Sequence, residues 1–284
     1  MGCGKYCVGA LLAAVLLRCG GCADPLILRP STNVLQVTDG SARRVALGKD
    51  RSVEVWTASS PGARGQTPRA FILHFCGNGD RAETALGRQL AQWEEFPVEI
   101  WVMNYPGYGG SSGPAQLRAI PAAALAAYDA LRARAAGRPI IISAMSLGST
   151  VALYVAAHRP VDGLLIRSPA PVRQVITGNY GWWNLWLLAG PVATQFPDEL
   201  DSVKNARRVE VPAIFVITGA DELVPRKYQR DVTAAYAGKH RVIVAEEARH
   251  SSPISGKAVQ RLRSDLQWLW SKASAGGPAG ASRP

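Results

Sequence analysis

The chain has 284 residues, of which 48% are hydrophobic, and carries a formal net charge of +11. This length suits one large domain or two small ones, and the hydrophobic content is sufficient for a substantial core. The lysines and arginines are scattered without a long basic run, and this distribution argues against a nucleic-acid partner.

The cysteines are unevenly placed. Four of the five precede residue 23, and the fifth is Cys76. A disulfide framework would spread cysteines through the fold. The sequence CGGC at residues 19–22 lacks the second pair of ligands that a zinc site needs. Neither a disulfide scaffold nor a metal site is therefore predicted.

Residues 1–22 have the layout of an export signal. Lys5 precedes an apolar stretch at residues 6–17, and small residues precede Cys22. The apolar stretch is too short for a membrane-spanning helix, which needs about 20 residues. The ending GGC resembles a bacterial lipoprotein signal, which implies export, a lipid on Cys22 and attachment to a membrane. Cys19 is the other possible lipid acceptor.

Two other readings of this segment stay open. One is a plain export signal or an uncleaved anchor. The other is acylation inside the cell, because the chain begins Met1-Gly2-Cys3 as doubly acylated chains do. Tyr6 stands where myristoylated chains have Ser or Thr.

Strand and helix patterns alternate from residue 52 to residue 272, after a lead-in at 23–51 that includes a hairpin near 34–37 and 43–47. The predicted strands are apolar on both faces, as strands covered by helices are; they are 52–57, 70–75, 98–104, 139–143, 163–167, 213–218 and 241–245. The predicted helices are 81–95, 116–136, 146–158, 225–237 and 256–271. This alternation predicts an α/β fold with a mostly parallel central sheet and helices on both faces.

Two segments break the alternation. Residues 169–208 contain no strand pattern but include Trp182, Trp183 and Trp186, so we interpret them as a short cap or lid insertion. Residues 273–284 are rich in Ala, Gly, Pro and Ser, and we predict that this tail is disordered.

Ser146 lies between a predicted strand and a predicted helix, in the sequence SAMSLGST at residues 143–150. The spacing is that of a nucleophile elbow, G-x-S-x-G, with Ala144 in place of the first glycine and Gly148 as the second. A serine that merely caps the helix is the alternative.

The base and the acid that such a serine needs also follow strands. His250 comes directly after the last strand, whereas His74 lies within a strand, His158 ends a helix and His240 enters the last strand. Asp221 follows the strand at 213–218, with Glu222 as the alternative acid. Because ligands bind at the carboxyl ends of parallel strands, the three side chains should meet there.

The order Ser, Asp, His is that of the α/β-hydrolase superfamily, which the chain resembles from about residue 52 to residue 271. FCGNGD at residues 75–80 is similar to the F-H-G-N-A-G loop of one group of its serine hydrolases, and NYPGYGGSSG at residues 104–113 is similar to their D-Y-R-G-Y-G-x-S-x-G run. That group includes esterases, lipase-like enzymes and protein depalmitoylases. Cys76 replaces its loop-shaping histidine.

The resemblance implies an α/β-hydrolase fold and a hydrolase that cleaves an ester or thioester through an acyl-enzyme. Ser146, His250 and Asp221 would form the catalytic triad, and the N–H groups of Leu147 and Asn78 would bind the oxyanion, with Gly79 as the alternative to Asn78. No metal or organic cofactor is needed. The expected partners are a small-molecule or lipid-like acyl ester and a membrane surface.

Other functions remain compatible with the same residues. A non-catalytic binding lipoprotein could use a hydrolase scaffold, since fold does not determine function. An acyltransferase, a peptidase or a perhydrolase could use the same triad. No feature of the sequence indicates an oligomeric state.

Overall fold

The computed structural model describes residues 23–33, 35, 40–180 and 189–275. The predicted lipid acceptor Cys22, most of the predicted strand at 34–37, the three tryptophans of the insertion and residues 276–284 lie outside this part of the chain.

An eight-stranded sheet forms the centre of the molecule. Its strands, in chain order, are β1 (Ser41–Ala46), β2 (Ser52–Ser59), β3 (Ala70–Phe75), β4 (Val98–Met103), β5 (Ile140–Met145), β6 (Gly163–Arg167), β7 (Ala213–Thr218) and β8 (His240–Ala245). The spatial order is β1-β2-β4-β3-β5-β6-β7-β8. β2 is antiparallel to both of its neighbours, and the strands from β4 to β8 are parallel.

Helices cover both faces of this sheet. They are α1 (Asp24–Ile27), α2 (Ala82–Gln92), α3 (Ile120–Ala135), α4 (Leu147–His158), α5 (Val172–Val175), α6 (Ala189–Gln195), α7 (Ser202–Ala206), α8 (Arg226–Ala235) and α9 (Lys257–Ala275). Apolar side chains of α2 and α9 pack on one face of the sheet, and those of α3, α4 and α8 pack on the other. The predicted α/β arrangement is therefore confirmed.

The sequence located every strand of the parallel sheet and the longer helices α2, α3, α4, α8 and α9, with bounds that shift by a few residues, but not the short helices α1, α5, α6 and α7. The largest shift at a helix start is in α3, where a short 3-10 turn at Leu117–Ala119 precedes the helix proper. Pro121 lies in the first turn of α3, where its missing N–H costs no hydrogen bond. At the other end of the chain, α9 continues to Ala275 and so enters the segment that we predicted to be a disordered tail.

The lead-in contains β1, which overlaps the predicted strand at 43–47 and pairs with β2 in an antiparallel arrangement. Most of 34–37 lies outside the described residues, so its pairing with 43–47 stays a prediction. Residues 23–33, which we call the N-terminal strap, pack on the domain: Ala23 and Leu28 are 1% and 2% exposed. Leu28 joins the main hydrophobic core, because burying a leucine side chain is worth about 2 kcal/mol.

The segment between β6 and β7 carries α5, α6 and α7, and its described residues contain no strand. Within the described part of the chain, no helix is long and apolar enough to span a bilayer.

Candidate active site

Ser146 occupies a sharp turn between β5 and α4. Its φ of 54° and ψ of −121° lie outside the regions that ordinary side chains prefer, and its N–H donates to the Arg167 carbonyl at 3.0 Å. A Cβ on Gly148 would lie 2.1 Å from the Phe75 carbonyl oxygen, so only glycine lets α4 start against the end of β3. The predicted elbow geometry is present.

The structure brings the three predicted side chains together. His250 Nε2 lies 2.8 Å from Ser146 Oγ, and His250 Nδ1 lies 2.7 Å from Asp221 Oδ2. The alternative acid, Glu222, is exposed on the turn beside Asp221. A hydrogen-bonded chain therefore runs from the serine hydroxyl through the imidazole to a buried carboxylate.

Asp221 is held as an acceptor by donors on every side. Thr218 Oγ1 donates to Oδ2 at 2.7 Å, and the N–H groups of Leu223 and Val224 donate to Oδ1 at 3.0 and 2.9 Å. Burial alone raises the pKa of this carboxyl. The hydrogen bonds from His250, Val224 and Thr218 outweigh it, so the pKa is lowered overall and the group stays charged.

Arg167 connects the nucleophile turn to the base loop, a contact that the sequence analysis did not find. Its carbonyl accepts the Ser146 N–H, and its Nη2 donates to the carbonyls of Ser252 and, at 3.5 Å, His250. Burial lowers the pKa of Arg167. Nothing in the sequence shows which carbonyls the guanidinium reaches.

Leu147 is the first residue of α4, and N–H groups in the first turn of a helix have no acceptor within the helix. The loop after β3 lies close by, since a Cβ on Gly77 would be 3.6 Å from Ser146 Cβ. Leu147 and the Asn78 loop thus flank the serine. That the N–H groups of Leu147 and Asn78 receive an oxyanion stays a prediction.

The Asn78 side chain faces the N-terminal strap. Its Oδ1 accepts from the Arg29 N–H at 2.9 Å and from the Tyr108 hydroxyl at 3.0 Å, and its Nδ2 donates to the Ile27 carbonyl. Gly79 adopts a φ of +78° beside Arg29, a conformation that favours glycine. The strap therefore fixes the loop after β3.

Two further groups near the site are buried and uncharged. Burial lowers the pKa of His74 to about 3, and its Nδ1 lies 3.1 Å from Ser143 Oγ. Cys76 is 1% exposed, and burial raises the pKa of its thiol, which fits a structural role. In the described residues, no cluster of His, Cys, Asp and Glu could hold a metal ion.

Comparison of the sequence with known proteins gives distant relatives of unknown activity. No family model matches the chain. Two uncharacterized proteins of Mycobacterium tuberculosis, from strains CDC 1551 and H37Rv, are 27% identical to it over 180 residues. The match covers 62% of this chain and 62% of each relative, so the matched part spans about three fifths of their length.

Solved structures are similar over most of the chain. DcsB, in complex with its substrate analogue, has a TM-score of 0.63 at 13% identity over 83% of this chain and 99% of that chain. An esterase of Pyrococcus furiosus has a TM-score of 0.63 at 13% identity, over 86% of this chain and 98% of that chain. A puromycin-hydrolyzing peptidase of Mycobacterium tuberculosis has a TM-score of 0.62 at 16% identity, over 82% of this chain and 39% of that chain.

These similarities define the class of fold. The chain has the α/β-hydrolase fold, with its eight strands in the order found here, and the resemblance predicted from the sequence is confirmed at the level of fold.

Proposed function

We propose that the protein is a serine hydrolase that cleaves a carboxylic ester or thioester. The observation that carries this proposal is the chain of hydrogen bonds from Ser146 Oγ through His250 to Asp221, at the carboxyl edge of the sheet. The esterases and peptidases among the structural neighbours support it at the level of the reaction class.

In the first step, Ser146 Oγ attacks the carbonyl carbon of the substrate while His250 Nε2 accepts the hydroxyl proton. Asp221 accepts a hydrogen bond from Nδ1–H, which sets the imidazole tautomer and stabilises the imidazolium that forms. The predicted backbone donors at Leu147 and Asn78 would bind the oxyanion. A donor of this kind is worth about 3 kcal/mol in a transition state.

In the second step, His250 gives its proton to the departing alcohol or thiol, which leaves Ser146 acylated. A water molecule then attacks the acyl carbon, and His250 accepts its proton as it did from the serine. The acid is released and Ser146 recovers its proton. No step needs a metal ion or an organic cofactor.

A fluorophosphonate probe tests this proposal, because it labels a serine only when that serine is activated. We expect the wild type to be labelled and Ser146→Ala and His250→Ala to be unlabelled. Ester hydrolysis should fall by about 10⁴-fold or more in each. Ser251→Ala is the matched control, since Ser251 is an exposed serine next to the base.

Each variant is checked for its melting temperature, so that a loss of labelling is not a loss of fold. If the folded wild type is not labelled, the protein is not a serine hydrolase, and a binding function on this scaffold takes its place. If Ser146→Ala is still labelled, another residue is the nucleophile.

We also propose that the protein is exported and carries a lipid on Cys22, which would place it on a membrane. The support is the signal-like sequence of residues 1–22. Intact-mass measurement of the protein from membranes, with Cys22→Ala as the control, tests the lipid.

A further inference from the structure

A cavity of about 760 Å³ lies between α2, α9 and the sheet. Protein interiors are closely packed and rarely leave voids larger than a water molecule. A cavity of this volume is in the range of small-molecule sites. The cavity is therefore a candidate ligand-binding site.

One end of this cavity borders the proposed active site. Gly77, Asn78 and His250 line that end. His250 Nε2 lies 2.8 Å from Ser146 Oγ, and Gly77 is the loop residue that packs against Ser146. The cavity thus reaches the residues on both sides of the nucleophile, and a group bound in it would lie next to the reacting carbonyl.

The middle of the cavity is apolar. Leu165 and Val216 of the sheet, Leu262 and Leu266 of α9, and Phe96 after α2 form its walls. All five side chains are at least nine-tenths buried. An apolar ligand there would be stabilised by the burial of its own apolar surface.

Most of the charged groups around the cavity are paired or lie at its outer rim. Arg88 is paired with Asp80. Glu94, Glu95 and Arg263 are exposed at the rim.

Polar side chains away from the rim also line the cavity, among them His74, Arg167 and Gln89. His74 on the floor is neutral, because burial lowers its pKa to about 3. The guanidinium of Arg167 donates to the carbonyls of His250 and Ser252. The apolar walls offer no charged partner, so a charged chain lying against them would lose its hydration without compensation, whereas an apolar chain would not.

We infer that this cavity holds the acyl chain of the substrate, and that the substrate is therefore an ester or thioester of an extended apolar acid. The inference rests on the proposed function. We assign the acyl part to the cavity because it stays attached to Ser146 until water arrives, whereas the alcohol or thiol must leave first.

Hydrolysis of p-nitrophenyl esters from acetyl to dodecanoyl tests the inference, because the leaving group stays constant. We expect kcat/KM of the full-length protein to rise with chain length. Val259 is a half-buried residue of α9 that lines the cavity, so Val259→Phe should lower the ratio of dodecanoyl to acetyl kcat/KM by about tenfold or more. Gln260→Phe, at the exposed neighbouring position, should leave that ratio unchanged.

Binding of the fluorescent fatty acid cis-parinaric acid to Ser146→Ala gives a readout that needs no catalysis. We expect saturable binding that Val259→Phe weakens about tenfold and Gln260→Phe does not. Parinaric acid binding without fluorophosphonate labelling of the wild type would overturn the proposed function but keep the cavity assignment. Labelling without saturable binding, or a chain-length ratio that Val259→Phe does not change, would overturn the cavity assignment. Acetyl esters of alcohols of increasing size give one more test. If the effect of Val259→Phe on kcat/KM grew with the size of the alcohol, the cavity assignment would also be overturned.

Discussion

Two tyrosines hold the loop after β3 at different points. Tyr105 donates its hydroxyl proton to the Cys76 carbonyl at 2.7 Å, and Tyr108 donates to Asn78 Oδ1 at 3.0 Å. Both side chains are 1% exposed. The loop therefore depends on side chains that follow the next strand of the chain.

Tyr108→Phe should lower kcat for ester hydrolysis by about tenfold and leave KM nearly unchanged. The change removes the donor to Asn78 Oδ1, and a small displacement of the loop weakens an interaction that forms only in the transition state. A misplacement of 1 Å can cost about 100-fold, so a partial displacement costs less. Steady-state kinetics measures both constants.

The control for this change is Tyr128→Phe. Tyr128 lies on α3, away from the loop, and its hydroxyl also donates to a carbonyl, that of Pro160. Tyr128→Phe should lower the melting temperature without changing kcat. Equal kinetic effects of the two changes would mean that Tyr108 acts through general stability alone.

The proximity of Ser146, Asp221 and His250 could be predicted from the sequence because each of them follows a strand of a parallel sheet. Chain order and the positions of the strand ends place these three residues, and both can be read from the sequence. The roles of Thr218 and Arg167 could not be predicted, because they depend on distances between loops. A threonine and an arginine at the ends of strands carry no signature of their own.

The start of α4 depends on one glycine. Gly148→Ala would place a methyl group 2.1 Å from the Phe75 carbonyl oxygen and 2.7 Å from that of Cys76. We expect a loss of about 1–3 kcal/mol of unfolding free energy, and a displaced Ser146 that reacts more slowly with a fluorophosphonate. Urea unfolding and the rate of labelling measure the two effects.

Gly87→Ala is the matched control, because Gly87 lies within α2 and a Cβ there would meet no atom within 4 Å. It should raise the unfolding free energy by about 0.5–1 kcal/mol, since alanine favours a helix more than glycine does. If Gly148→Ala were as stable and reactive as Gly87→Ala, the close contact at the start of α4 would not matter.

The elements of the sheet were predictable because Ile- and Val-rich runs alternate with helical patterns. The packing of the N-terminal strap and the pairing of β1 with β2 were not predictable. β1 has the sequence SARRVA, which lacks a continuous apolar face, and its pairing with β2 is evident only from the structure. The strap is fixed by hydrogen bonds to Asn78 and Tyr108, residues far away along the chain.

At the scale of the whole molecule, His74 should make folding sensitive to acid. Its pKa is about 3 in the folded protein and about 6.5 in an unfolded chain. Between these values the unfolded chain binds a proton that the folded chain does not. Stability is therefore fully present above pH 6.5 and is lost as the pH falls toward 3.

His74→Asn should remove this part of the pH dependence and keep a polar group near Ser143. Between pH 7 and pH 5, the wild type should lose about 2 kcal/mol more unfolding free energy than the variant. Urea unfolding at the two pH values measures the difference. Equal losses in the two proteins would mean that His74 is protonated in the fold.

The cavity is also a property of the whole molecule and had no counterpart in the sequence analysis. Its walls come from β6, β7, α9 and the segment after α2, which are distant along the chain. Each of these apolar residues reads as ordinary core in the sequence. Only the space that α2 and α9 leave between them distinguishes a pocket from packing.

The strap begins at a fixed point. The N–H of Ala23 donates to Gln195 Oε1 on α6 at 3.1 Å, and Ala23 is 1% exposed. If Cys22 carries the proposed lipid, a single peptide bond joins the lipidated residue to the packed strap, without a flexible linker between them. The protein would then diffuse in the plane of the membrane with the proposed active site close to the bilayer, and it would meet acyl esters at that surface before it meets esters dissolved in water.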